Sequence, residues 1–402
     1  MCGYKVKSVI FLFLVIACIL CSGRRCYAAP AEDVQENADD GTTDYSNYNY
    51  DIPDETYNEI YNSINLYKAD GLLKQTGISN VSLVDVFNGI KNGDMSYVKQ
   101  CVFQIIRNIT IEDILLNKEF LLQLIIIVLL GSIFVRLTGT FGNGFVGEQG
   151  FYVTYLMITA LLLSSFLTSL DTVSNAIDRI IDFVSIIVPV YALSMNFIGS
   201  NATSIGMYEL IMLGIWIVQI VISGVILPLI KFYVIIALIN NINKEDSFSK
   251  LCQLIRNLVG WMLKTIVVFI AGLSLIKSLL EPQMDILGKH SLGKFISAIP
   301  GGGMGAVITG TFLKAGMVIK NSIGVAGILI IGIVTLAPVI KTFLVMFMIR
   351  ITAAMLQPIG EKRYVNGIES LAQGMALLLQ AVGSSAALFM LTIAIMAFAS
   401  NG

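Results

Sequence analysis

Gly206–Lys231 reads GMYELIMLGIWIVQIVISGVILPLIK, and Gly316–Lys341 reads GMVIKNSIGVAGILIIGIVTLAPVIK. Laid together without a gap, the two agree at seven of 26 positions: Gly206/Gly316, Met207/Met317, Gly214/Gly324, Ile220/Ile330, Pro228/Pro338, Ile230/Ile340 and Lys231/Lys341. Chance would give roughly 2–3 matches in so apolar a composition. The Pro-x-Ile-Lys at one place in both carries most weight, because proline and lysine are the residues a membrane helix least tolerates at random. Upstream, Phe183–Pro189 faces Phe295–Pro300, one residue shorter. Two repeats of Pro-broken apolar helices are expected, within 179–290 and 291–402.

Each run is too long to ignore the proline. Tyr208 to Ile239 is 32 residues almost without charge. As one helix that is about 48 Å, against a hydrocarbon core of ~30 Å. Either the span tilts and protrudes, or Pro228 turns the chain into a hairpin of two short helices, and Pro338 does the same. The hairpin option places nine basic residues inside (Arg136, Lys244, Lys250, Arg256, Lys314, Lys320, Arg350, Lys362, Arg363) against six outside (Arg179, Lys231, Lys277, Lys289, Lys294, Lys341), which favours it and a parallel repeat. Single spans would make the repeats inverted, as in transporters built on discontinuous helices.

Composition sets the class. The chain is 56% hydrophobic and 13% charged, where soluble domains carry about 25% charged residues, and its mean hydropathy is +0.79. This is an all-α polytopic membrane protein of about 7–10 membrane segments. One histidine, His290, and no acid pair within the spans leave no metal or triad chemistry to build, and no enzymatic activity, cofactor or nucleic-acid partner is expected.

The chain opens on an export signal, 1–28. Lys5 and Lys7 form its basic end, Val9–Leu20 its apolar core, and Cys26-Tyr27-Ala28 a cleavage site. An uncleaved anchor and a lipoprotein box at Val15–Cys18 are alternatives. Cleavage after Ala28 leaves Cys101 and Cys252, so no disulfide framework is implied. The tail, 29–67, holds ten acidic residues, no lysine or arginine before Lys68, and six tyrosines from Tyr45 to Tyr67. It cannot bury a core, and an extracytoplasmic disordered segment is expected. Residues 68–119 read as a small helical extracytoplasmic region, with helices over Ser79–Phe87 and Tyr97–Arg107. Two spans follow in 120–178, Phe120–Leu137 and Phe151–Leu170, with Asp171, Asp178, Arg179 and Asp182 in a loop after them. Gly142–Gly147 superficially matches a dinucleotide fingerprint, but no strand precedes it.

The candidate hinge or polar-cavity residues are Pro228, Lys231, Pro338, Lys341, Gly301, Gly302 and Gly303. The lysines either face a shared polar cavity or mark where the helices emerge. Pro300–Gly305 carries four glycines in five positions. Each costs ~1 kcal/mol in a helix against alanine, so a gate or an ordinary tight turn is expected there. Gly374, Gly383, Ser384 and Ser385 read as helix-packing positions, and Lys264 and Lys277 as snorkelling at helix ends.

Several strings carry a resemblance. Asn321–Gly327, Ala337-Pro-Val-Ile-Lys341, Ala353-Ala-Met-Leu-Gln-Pro-Ile-Gly360, Leu254–Asn257 and Lys294–Pro300, with the length, signal, acidic tail and terminal Asn401-Gly402, resemble the stage III sporulation protein AE family. The resemblance covers the whole layout and is strongest from Leu254 onward. It implies a multi-pass subunit in the mother-cell membrane around the forespore. There it would act in a secretion-like channel complex needed for endospore development. The implied partners are other stage III sporulation A proteins, including a secretion-type ATPase and ring-forming subunits. Stage II sporulation protein Q would be met across the intermembrane space, and further copies of the chain are possible partners. It implies no catalytic residues. A self-sufficient secondary transporter with internal repeats is the competing reading.

Overall fold

In the computed structural model the described backbone covers residues 96–140, 144–197, 201–243, 247–269, 272 and 302–398. The expected signal, the acidic tail, the Ser79–Phe87 helix, His290 and Gly301 lie outside the described residues. Those residues form helices and short turns: α1 Ser96–Thr140, α2 Gly144–Phe197, α3 Asn201–Val221, a π-helical turn Ile222–Ile226, α4 Leu227–Asn240, α5 Ser249–Phe269, α6 Gly302–Leu356 and α7 Lys362–Phe398. Six helical stretches among them are long and apolar enough to cross a membrane: Lys118–Thr140, Phe145–Pro189, Ile211–Asn240, Ser249–Phe269, Gly324–Leu356 and Lys362–Ala394.

The helices run further than the sequence reading allowed. Tyr97–Arg107 is the start of α1 and continues into the first span. The Asp171–Asp182 stretch, expected as a loop, lies inside α2, which passes unbroken through 178/179 and Pro189. The reason is periodicity. Val173, Ile177, Ile180, Val184 and Ile187 continue the buried stripe of Phe151, Tyr155, Ile158, Leu162 and Phe166 at helical spacing. Asp171 and Asp182 occupy the outer face, where charge costs the helix nothing in packing.

Neither proline makes a hairpin. Pro338 sits inside α6, which has 55 residues. Pro228 lies in the first turn of α4, directly after the π turn, and the chain from Asn201 to Asn240 stays helical. A proline removes one N–H and its ring presses on the carbonyl four residues back. A wider turn just ahead of it gives that ring room without ending the helix. Gly302 and Gly303 begin α6 rather than forming a turn. At a helix start the first N–H groups have no intrahelical partner in any case, so glycine there gives up little.

Three connections meet at one end of the bundle: α1 to α2, α4 to α5, and α6 to α7. Ser132, Glu148, Ile242, Glu361 and Arg363 are in contact there. At the other end Gly327 of α6 packs beside Ile187 of α2 and Ile393 of α7. The two proline-bearing stretches therefore descend in the same direction as single spans, and are not inverted. Lys314 and Lys320, expected beside Arg363, fall in the opposite half of α6.

α7 is the centre of the bundle. It packs on α6, α2 and α4, and 61% of its apolar window is buried, against 22% for α1 and α5. Tyr364, Ile368, Leu371, Ala372, Met375, Leu378 and Val382 are all sealed from solvent. In lipid there is no hydrophobic drive to bring helices together, so this packing rests on close fit and polar links.

Candidate functional site

Polar side chains of α7 hold its neighbours one by one. Arg363 anchors the end where the three connections meet. Its Nη1 lies 2.9 Å from Glu148 Oε1 of α2 and its Nε 2.7 Å from Glu361 Oε1. Nη1 also reaches the Ile242 carbonyl at 3.4 Å, beyond the end of α4. Its guanidinium carbon stands 3.4 Å from the centroid of the Phe151 ring. A planar fork that stacks on an aromatic face while gripping two carboxylates is what arginine provides and lysine does not. Phe151 in turn stacks on Tyr364 at 5.0 Å and on Tyr155 at 5.5 Å between ring centroids.

Two turns further along α7, Asn241 Nδ2 donates to Ser370 Oγ at 3.0 Å. Next, Gln373 Oε1 accepts from Tyr233 of α4 at 3.0 Å and from Arg256 of α5 at 3.4 Å. The turn between α6 and α7 is closed by Gly360, whose N–H donates to the Leu356 carbonyl at 2.6 Å. A side chain at 360 would meet that carbonyl at 2.8 Å, so the turn needs glycine. Pro358 just before it stops α6. The Glu361 N–H then donates to Ser132 of α1 at 3.1 Å. The arrangement clamps four helices. Among the described residues no group of three or more His, Cys, Asp or Glu could hold a metal.

Tyr155 adds a second tie between α2 and α4, donating to the Leu238 carbonyl at 2.7 Å from a fully buried position. That carbonyl also accepts from the Asn241 N–H. Tyr155→Phe therefore leaves no orphaned acceptor. The expected loss is about 1 kcal/mol rather than the larger cost of an unmade bond, read as a small fall in the unfolding temperature of the detergent-solubilised protein.

The residues singled out in the sequence are placed apart. Lys231 is exposed on α4 and Lys341 half-buried on α6. α4 packs on α7 and α2, and α6 on α7, α2 and α1; α4 and α6 share no extended packing face. Pro228 is exposed and Pro338 is buried within α6. Gly374 does serve packing, lying against Val234 of α4 and Phe166 of α2, and Ser385 is buried. The sequence reading missed Arg363, Glu148, Glu361 and the aromatic stack. The signal available was Glu361-Lys-Arg-Tyr364 directly after the Pro-x-Gly break, with Gly147-Glu148 opening the second span.

The model of the stage III sporulation protein AE family matches residues 81–400. Stage III sporulation protein AE of Bacillus subtilis is 21% identical over 395 residues, covering 96% of this chain and 97% of that protein. No solved structure matches.

Proposed function

The chain belongs to the stage III sporulation protein AE family, and from that premise we propose that it is a non-enzymatic, multi-pass membrane subunit of a channel complex between mother cell and forespore. It works by assembly with other stage III sporulation A proteins, among them a secretion-type ATPase and ring-forming subunits. Stage II sporulation protein Q is reached indirectly. The observation that carries the reading is the match to a sporulation protein along nearly the full length of both chains, on a bundle whose polar groups tie helices to one another. The outer stripe of α1, with Leu122, Ile126, Leu130, Ile133 and Leu137 exposed at helical spacing, suits lipid or a neighbouring subunit.

The acidic tail lies outside the cytoplasm in this reading, so the Arg363 end faces the mother-cell cytoplasm. Arg136, Lys250, Arg256, Arg350, Lys362 and Arg363 lie towards that end, in keeping with the excess of basic residues on cytoplasmic loops. Expression in the mother cell alone is expected to restore spore yield to a strain lacking the protein, and expression in the forespore alone to leave it low. Restoration from the forespore alone would overturn the proposed location. A self-sufficient transporter would instead move substrate in vesicles containing this chain and no other.

A further inference from the structure

We propose that the open face of α7 is the floor of a water-filled cleft entered from the Arg363 end, and that Arg256 and Arg350 at its mouth favour anions as the solutes that enter. Asn366, Glu369, Gln373, Gln380 and Ser384 make up this face, and none of them is buried. At 100° per residue they fall within an arc of about 60°. From Asn366 to Ser384 the stripe runs about 27 Å along the helix. Gln380 lies near the middle of the span Lys362–Ala394. Ala376 and Gly383, at the margin of the arc, are small.

The neighbours bound this arc on both sides. On one side is α6, where Gly332 lies against Met390 and Arg350 Nε stands 4.0 Å from Glu369 Oε1. On the other side are α4 and α5. Asn241 donates to Ser370 there, and Tyr233 and Arg256 both donate to Gln373. The polar stripe therefore lies between two walls, on the helix at the centre of the bundle.

Residue chemistry says what fills the space. The open faces of other helices carry what lipid accepts, such as Leu130 on α1, Trp261 on α5 and Phe347 on α6. An amide or hydroxyl turned into hydrocarbon has no partner and is strongly disfavoured, so polar groups at this depth line water or protein. The same face of a second copy is walled in the same way, so two such stripes cannot pack on each other. Water remains, and the Arg350–Glu369 pair fits it, with side chains 37% and 42% exposed. Charge then sets the preference. Lys362, exposed at the start of α7, lies on the same arc. With Arg256 and Arg350 it faces one carboxylate, Glu369, and excess positive charge between apolar walls concentrates anions.

The cleft stands on this geometry, while its use as a conduit rests on the channel reading. The test uses the full-length protein in open membrane fragments from sporulating cells. Its native cysteines are replaced by serine and one cysteine is introduced at a time. Gln380→Cys and Ser384→Cys are expected to react with charged methanethiosulfonates many-fold faster than Leu130→Cys on the apolar stripe of α1. Rates no higher than at Leu130→Cys would overturn the cleft. With each rate taken relative to a free thiol, the anionic sulfonatoethyl reagent is expected to outpace the cationic trimethylammonium reagent several-fold at Gln380→Cys. Adding Arg256→Gln and Arg350→Gln is expected to abolish that preference, a ratio that a lower amount of protein does not change. Equal rates for the two reagents, or a preference that survives loss of both arginines, would overturn the selection of anions. Reactive cysteines in a protein that is recovered without partners would leave the cleft standing and count against the channel reading instead.

Discussion

Arg363→Ala is expected to cost the bundle about 2–3 kcal/mol. It removes an ion-pair partner from each of two carboxylates that stay partly buried, since the Glu148 and Glu361 side chains are only 25% and 23% exposed. Breaking a fully buried pair from one side costs about 3–5 kcal/mol. The residual exposure here lowers that figure, because water screens what the arginine no longer does. The same change strips the cation from the face of Phe151 and the tie to the Ile242 carbonyl. Three connections loosen together, so a lower unfolding temperature in detergent and faster proteolysis at 241–248 and 357–361 are expected. Arg363→Lys keeps the charge and loses the fork, and is expected to fall between wild type and alanine. A protein as stable and as protease-resistant as wild type after Arg363→Ala would show that the clamp contributes nothing.

Gly374→Leu is expected to be comparably damaging for the opposite reason. Gly374 lies on the central helix where α4 and α2 both close in, and a side chain there runs into Val234 with Phe166 beside it. Val234 and Phe166 are both fully buried. Valine is stiff about its first torsion and cannot turn aside. Overpacking of this kind costs about 1–3 kcal/mol and more when the backbone must move. Here α4 would have to lift from α7, stretching the Tyr233–Gln373 and Asn241–Ser370 links together. Gly374→Ala combined with Val234→Ala makes room for the added methyl. That double variant is expected to be more stable than Gly374→Ala alone, as read by unfolding temperature. A double variant less stable than the single one would mean that the α4–α7 contact does not depend on this glycine.

What could be read from the sequence follows from the range of the forces involved. The first two spans were legible because a bilayer demands a long apolar run, and Phe120–Leu137 and Phe151–Leu170 supply one each. The continuation of α2 past Asp171 was legible too, in the Val173–Ile187 stripe, but charge was weighed above period. The prolines misled because their cost is local. Pro228 forfeits one hydrogen bond, and the π turn next to it absorbs the ring while packing against α7 keeps the axis. The glycines at 302 and 303 misled in the same way, by propensity read without position. The Arg363 clamp joins residues 215 positions apart in the chain. Spacing along a sequence carries no information on such a pair. Only the meeting of three connections at one end of the bundle, itself a consequence of an even number of spans between Glu148 and Arg363, brings it together.

The most direct test of the account is isolation of the tagged, full-length protein from sporulating cells in mild detergent, with identification of everything that accompanies it. The account expects a large complex of fixed composition containing the secretion-type ATPase and the ring-forming stage III sporulation A proteins. A lone monomer or dimer, recovered under conditions in which those other subunits still hold together, would contradict it.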